Sequence, residues 1–437
     1  MKGVFGMDNM SLVVLLGTFF LLVAIKVPIC FALGLASVAT MIYLGIPLAN
    51  IANMMYTGLD SYPFLAVPFF MLVGALMNNG GITDRLMTVS DAWVGHIRGG
   101  LGHINVLVSM LFAGLSGSSQ ADVAGIGTMI IPAMAKAGFD MPFTVAITAA
   151  SATLGAIIPP SIIMVVYASL AQVSTGALFL AGVVPGILIG LTQMFYCYIL
   201  AVKRNYPRNP PMPMMKRIKV TGHALPALTV PLIILFGVSG GLFTVTESAA
   251  IAVVVSLILA LVVYRTIKLC ELSGIFASSA VTSCVSLFMM SIAGCCAWLV
   301  GYLNIPAMIT DLVLSVTTNP HGIMLLLVAV LFVLGMLLNP ATIIVAFMPV
   351  MLALGEAAHV HPLHLGIICN LILALAVITP PYGTSLLLAA QIGEISPMRA
   401  FWATLPMLIL AVLVIVIGVY FPEMFLFLPR YFMPNAF

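Results

Sequence analysis

Charge is what this sequence has least of. Only 6% of its 437 residues are Asp, Glu, Lys or Arg, against 63% hydrophobic residues, and the mean hydropathy is +1.24. That balance excludes a water-soluble fold, because so few charged groups cannot cover the surface of a chain this long. Redox and metal patterns are missing as well. Cys30, Cys197, Cys270, Cys284, Cys295, Cys296 and Cys369 lie scattered in apolar segments without CxxC spacing, so neither a disulfide framework nor a thiolate metal site is indicated. His359, His361 and His364 lack the i, i+4 spacing of a helical zinc pair and read as a solvated loop. No GxxxxGK[ST] run occurs, which leaves no nucleotide-dependent motor.

The bilayer is therefore the solvent. Runs able to cross about 30 Å of hydrocarbon fall at 11–27, 29–48, 63–80, 143–171, 177–202, 225–241, 246–264, 282–301, 364–391 and 399–420. The first of them follows a lone Lys2 and could pass for a signal peptide, but a second apolar run comes directly after it, so it reads as a span. Two further stretches, 104–135 and 322–355, carry a polar or Pro-bearing tip near their middle: Ser116-Gly-Ser-Ser-Gln-Ala-Asp122 and Leu338-Asn-Pro-Ala-Thr342. Both fit re-entrant hairpins. With the N-terminus outside, thirteen of the fifteen basic residues face the cytoplasm and only Lys2 and Arg430 do not, as the positive-inside rule requires. Five crossings per half is odd, so residues 1–202 and 223–437 read as inverted repeats, joined by a basic, proline-rich linker at 203–222. The expected fold is an all-α polytopic membrane protein with both termini in the periplasm.

A double proline deep inside an apolar run occurs twice, as Pro159-Pro160 and Pro380-Pro381, 221 positions apart. Proline lacks the amide hydrogen and clashes with the carbonyl four residues back, so the carbonyls of Gly155, Ala156, Ala376 and Val377 should be freed. Broken helices are tolerated at membrane depth only where they are buried in protein or line a polar cavity. Neutral carbonyl oxygens beside small side chains suit a hard monovalent cation such as sodium, and Ser161, Thr379 and Thr384 offer hydroxyls nearby. The hairpin tips are expected to meet the breaks near the midplane. Ser118, Ser119, Asp122, Asn339 and Thr342 are accordingly expected to bind the solute. An intramembrane carboxylate such as Asp122 costs about 2.5–3.5 kcal/mol unless it is paired or wet. Glu247 reads as a helix cap at an interface.

Several motifs in order, Gly114-Leu-Ser-Gly-Ser-Ser-Gln-Ala-Asp122, Ile130-Ile-Pro-Ala-Met134, Ile157-Ile-Pro-Pro-Ser161, Gly176-Ala-Leu-Phe-Leu-Ala-Gly-Val-Val-Pro185 and Gly241-Leu-Phe-Thr-Val-Thr-Glu247, resemble the large membrane subunit of tripartite ATP-independent periplasmic (TRAP) transporters. The resemblance runs from Val13 to Phe421 and takes in Pro63-Phe-Leu-Ala-Val-Pro68 and Asn79-Gly-Gly-Ile-Thr-Asp-Arg85. It implies a small four-helix membrane subunit as partner and a soluble periplasmic binding protein that delivers an organic acid. It also implies import driven by Na+, with about two or more ions co-transported, and an elevator motion of the hairpins and broken helices against a scaffold. Carried over by motif, one sodium site falls at Ser116, Gly155, Ile158 and Pro160, and the other at Gly335, Ala376, Thr379 and Tyr382. The second repeat departs from the first in having Ala376 where the first has glycine.

The substrate stays open among sialic acid, other sugar acids and C4-dicarboxylates. No intramembrane arginine stands out as an anion clamp, so a carboxylate would rely on hydroxyls, hairpin amides and helix N-termini. Two other classes remain. One is a stand-alone ion-coupled exchanger that needs no binding protein. The other is an intramembrane hydrolase using Ser118 and Asp122, four residues apart, which no histidine or lysine accompanies.

Overall fold

The computed structural model describes residues 9–437; the N-terminus, which the charge pattern places in the periplasm, lies outside the described residues. Among the described residues the chain is helical with no strand, as expected of backbone that must satisfy its own hydrogen bonds in lipid. Among the described residues seven helices are long and apolar enough to cross a membrane: Tyr62–Asn79, Thr175–Arg204, Met214–Ser239, Val245–Val263, Leu269–Tyr302, Pro340–Ala357 and Pro397–Tyr420. Shorter apolar helices, among them Ile29–Tyr43, Gly100–Ser116 and Pro320–Gly335, fill the remaining places.

One unit occurs twice in the same order. Helix Gly100–Ser116 turns at Gly117 and returns through Ser119–Asp122, a π-helical stretch Val123–Gly127 and Thr128–Lys136. After it, helix Met141–Ala152 tightens to a 3-10 turn, Thr153–Ala156, passes the diproline, and resumes as Ile162–Ala171. In the second copy helix Pro320–Gly335 turns into Pro340–Ala357, and helix Pro362–Ala376 stops before Pro380 and resumes as Thr384–Ile392. The runs 143–171 and 364–391 are thus each two short helices around a break. Both diproline bonds are cis.

The two units pack into one core. Tyr167, fully buried in the first broken helix, lies against Gly366 in the second, where any side chain would collide with its ring. Its hydroxyl donates to the Pro362 carbonyl at 2.9 Å. Asn370, also fully buried, donates from Nδ2 to the Ala156 carbonyl at 3.1 Å. The first break and the helix after it are therefore tied to the helix that leads into the second break.

Outside this core, helices Ile82–Val94 and Ile305–Val316 were not among the expected spans, because polar residues interrupt their hydropathy and their apolar residues occupy one face only. The segment 203–222 is more ordered than a solvated linker. The Asn209 amide donates to Gly95 O at 2.9 Å, and its side chain donates to Asp91 Oδ1 at 2.6 Å. Arg204 pairs with Asp140, which also accepts from the Tyr206 hydroxyl at 2.7 Å. A new helix begins at Met214, directly after the last of the prolines that interrupt helical backbone.

Candidate functional site

Each hairpin tip is stitched to the break of its own unit by a backbone hydrogen bond. In the first, Ile162 N donates to Gly117 O at 3.4 Å; in the second, Tyr382 N donates to Met336 O at 3.1 Å. Gly117 is required at its turn: its φ is +62°, and a Cβ there would sit 2.9 Å from the Pro160 carbonyl. A cross-link joins the units, with Gln120 Nε2 donating to Thr384 Oγ1 at 2.8 Å. The tips and breaks of both units thus meet in one place.

There they enclose a cavity of about 560 Å³. Of the residues expected to bind the solute, Ser118, Ser119 and Asn339 line it. Asp122 and Thr342 do not: both are buried behind the lining. Asp122 follows Ser119 by one helical turn and so points back into the packed interface with the first break. Its Oδ1 accepts from the Ser116 hydroxyl, its Oδ2 has no partner, and a side chain on Gly155 would run into the carboxylate. Ser118, the nucleophile of the hydrolase alternative, pairs its amide with Ser116 Oγ at 3.4 Å, and Asp122 serves Ser116 rather than Ser118.

Of the four carbonyls expected to be free, those of Ala156, Ala376 and Val377 accept hydrogen bonds instead, because the turns at the breaks and a neighbouring helix supply donors. The Leu154 carbonyl collects the amides of both Ile157 and Ile158, at 3.0 and 2.8 Å. The Ala156 carbonyl accepts from Ser161 Oγ at 2.6 Å as well as from Asn370. In the second break, Ala376 O accepts from Thr379 N at 3.0 Å and Val377 O from Ser385 N at 3.1 Å. Thr379 Oγ1 donates to Leu375 O at 3.4 Å, Ile158 is half-buried, and the Tyr382 side chain is exposed. Ala376 touches the second hairpin at Gly335, where a Cβ would collide with its own. The small residue that makes room has moved from the break in the first unit to the hairpin in the second. Among the described residues no group of three His, Cys, Asp or Glu is placed to hold a metal. His361 Nδ1 accepts from Leu363 N at 3.2 Å and His364 Nε2 pairs with Gly418 O at 2.9 Å.

The structure adds a wall that sequence reasoning missed. Ser278, Ser279, Thr282 and Ser286, on helix Leu269–Tyr302, also line the cavity, and Asn78 and Asn79 line it from the end of another helix. The signal was present as hydroxyls at 278, 282 and 286, four apart on one face of an apolar helix. Such hydroxyls commonly satisfy themselves on their own backbone, so the spacing alone does not single them out. Asn78 and Asn79 precede Gly80-Gly81, a pairing that turn chemistry alone also accounts for. No charged side chain lines the cavity.

The family model for the DctM component of tripartite ATP-independent periplasmic transporters matches residues 16–424. The chain belongs to the TRAP large permease family. The C4-dicarboxylate TRAP large permease DctM of Pseudomonas aeruginosa is 37% identical over 372 residues, covering 85% of this permease and 87% of that one. The sialic acid TRAP large permease SiaM of Vibrio cholerae is 34% identical over 375 residues, covering 86% and 88%. The permease is also 37% identical over 97% of its length to an uncharacterized protein, YgiK, of Salmonella typhimurium, covering 98% of that chain. Among solved structures, MtrF of Neisseria gonorrhoeae superposes with a TM-score of 0.62 at 11% identity, over 86% of the permease and 84% of that chain. YdaH of Alcanivorax borkumensis gives 0.54 at 14%, over 87% and 88%. At such identities the likeness is one of fold. The permease is an integral membrane transporter subunit and not an enzyme.

Proposed function

We propose that the permease carries an organic acid into the cell across the bacterial inner membrane, coupled to sodium. The substrate arrives from a periplasmic binding protein, and a small four-helix membrane subunit accompanies the permease. The observation that carries this reading is the single cavity where both hairpin tips and both broken helices meet, beside a buried carboxylate with one oxygen left without a partner. Unwound backbone facing a cavity at membrane depth is what solute and ion sites of secondary transporters are built from.

Sodium would travel as cargo. In the first unit Ser116, Asp122 and the Gly155 turn supply hard oxygens around a carboxylate that needs a counter-charge. In the second unit Ala376, Thr379 and the Gly335 contact form a neutral set. The first set suits a cation better, because the unpartnered Asp122 oxygen is fully enclosed and costly to leave bare. The substrate's carboxylate would lie against the tips, where helix N-termini and unpartnered hydroxyls replace an arginine. The hairpins and broken helices then move together as an elevator, since the tip-to-break hydrogen bonds fasten each pair. Both termini face the periplasm. With about two sodium ions per monoanion, a tenfold gradient contributes about 1.4 kcal/mol per ion, and one net charge adds about 2.3 kcal/mol per 100 mV. Together these support accumulation on the order of several thousandfold.

The test is uptake of radiolabelled sialic acid and, separately, succinate into proteoliposomes holding the permease and its small subunit. Each is run with and without the cognate binding protein and an inward sodium gradient. Uptake of either acid that requires both additions is the expected result. Uptake that ignores the sodium gradient removes the coupling, and uptake without a binding protein leaves a stand-alone exchanger.

A further inference from the structure

A second cavity, of about 500 Å³, lies between helices Ile82–Val94 and Met214–Ser239, at the end of the molecule that the charge pattern places in the cytoplasm. Arg85 lines it from the first helix, and Lys216, Lys219 and His223 line it from the second, on one face by their three- and four-residue spacing. No acid lines it. Among the described residues the ion pairs, Arg204–Asp140 and Arg430–Glu423, lie elsewhere. Lys216 and Lys219 also stand at the start of their helix, whose first turn holds no acid, so the helix dipole and each other's charge both oppose them. Water screens such costs in part, and an anion between the two helices would remove them. Donors for it are in place. His223 Nδ1 donates to Lys219 O at 2.8 Å, which leaves Nε2 for a ligand. Arg85 Nη1 donates to Gly81 O at 2.8 Å, which fixes a guanidinium with further N–H groups to spare.

The surface beside these cations is apolar. Met215, Ile218, Leu225, Leu232 and Phe236 are 80%, 58%, 57%, 48% and 59% exposed, and their spacing runs them as one stripe along helix Met214–Ser239. At Gly222, within the stripe, nothing lies within 4 Å of an added Cβ. Trp93 donates from its indole to Thr221 Oγ1 at 3.0 Å, at the level where bilayers collect tryptophan. We propose that the cavity binds the phosphate of an anionic phospholipid of the cytoplasmic leaflet, phosphatidylglycerol or cardiolipin. Arg85, Lys216 and Lys219 meet the phosphate, and the acyl chains follow the stripe that begins at Met215. Basic pockets between membrane helices on the cytoplasmic side suit such headgroups. A soluble phosphate makes the same charge contacts and leaves the stripe unused. A phospholipid is already confined to this surface at high local concentration, which favours it.

The delipidated complex of the permease and its small subunit is titrated in detergent with phosphatidylglycerol, cardiolipin and phosphatidylcholine, and bound lipid is read by native mass spectrometry. At least one anionic lipid should bind about tenfold or more tighter than phosphatidylcholine. A Lys216→Ala, Lys219→Ala double substitution should weaken that binding about tenfold or more, and Lys216→Arg, Lys219→Arg should keep it. Both lysines are exposed, so the lipid-free melting midpoint of the alanine variant should match wild type. Lys203→Ala, Arg208→Ala removes the same charge from exposed positions outside the cavity and should change the affinity by less than about twofold. Phosphatidylcholine binding as tightly as the anionic lipids overturns the proposal. So does unchanged affinity in the Lys216→Ala, Lys219→Ala variant, or an equal loss in the Lys203→Ala, Arg208→Ala control. Glycerol 3-phosphate that displaces the lipid at equal concentration assigns the cavity to a soluble phosphate and overturns the lipid reading.

Discussion

Two cavities of similar size sit at different places in this molecule and hold opposite chemistry. The one between the hairpin tips, about 560 Å³, is lined by hydroxyls, amides and small side chains without a charge. The other, about 500 Å³, lies between helices Ile82–Val94 and Met214–Ser239 and is lined by Arg85, Thr88, Lys216, Lys219 and His223. An anion would find stronger potential in the second, yet the broken helices point to the first. A fixed cation at membrane depth costs several kcal/mol and would hold an anion too tightly to release it, whereas dipoles and a co-transported ion supply attraction that leaves with the cargo. The basic cavity occupies the end of an apolar helix, and cations there are satisfied by water and headgroups. Arg85 already spends its guanidinium on the Gly81 carbonyl at 2.8 Å and on the Tyr264 ring, 4.0 Å from its centroid.

The largest effect that sharpens this contrast is expected at Asp122. Asp122→Asn keeps the shape and the Ser116 contact but removes the negative charge facing Gly155. If a cation compensates that charge, half-saturation by sodium in a proteoliposome uptake assay should rise on the order of a hundredfold, as when one member of a buried charge pair is removed. Unchanged sodium half-saturation would remove Asp122 from the ion site. Gly155→Ala comes next. A methyl group there displaces the carboxylate, and overpacking of about 1–3 kcal/mol should lower uptake by about tenfold. Gly222→Ala, on the basic helix with nothing within 4 Å of the new Cβ, is its control and should transport normally. Equal loss in both variants would show that helix rigidity, not the carboxylate contact, is at stake.

Asn370→Ala probes the tie between the first break and the helix that leads into the second. It removes a fully buried amide from the Ala156 carbonyl and leaves a small void, so the melting midpoint of the purified complex should fall by an amount equivalent to about 2–4 kcal/mol. A midpoint within a degree of wild type would mean that Ser161 alone satisfies that carbonyl.

How much of this was legible beforehand differs between the two sides of the central cavity. The tips and breaks were readable because Pro159-Pro160, Pro380-Pro381 and the Ser116–Asp122 run violate the rules of an apolar helix, and a violation at membrane depth needs a reason. The part of the lining on helix Leu269–Tyr302 obeys those rules. Ser278 and Thr282 bond to their own helix and leave its geometry undisturbed, so only their four-residue spacing marked them. Asp122 illustrates a different limit. Its type and depth identified it as functional, but whether it faces the cavity or the adjacent break depends on one turn of helix after the tip, and composition carries no record of that rotation.

The smallest expected effect closes the comparison from the basic side. Lys216→Ala and Lys219→Ala each remove one cation from the second cavity without touching the tips or breaks. Substitutions of this kind shift energies by about 0.5 kcal/mol, so uptake rates should stay within about twofold of wild type. Increasing salt should not separate the variants further, because screening acts on exposed charges and the central cavity has none in its lining. A severalfold loss of uptake in Lys216→Ala, with added salt lowering uptake by the wild type but not by the variant, would place an anion-handling step at the basic cavity. The division between an uncharged transport site and a charged periphery would then fail.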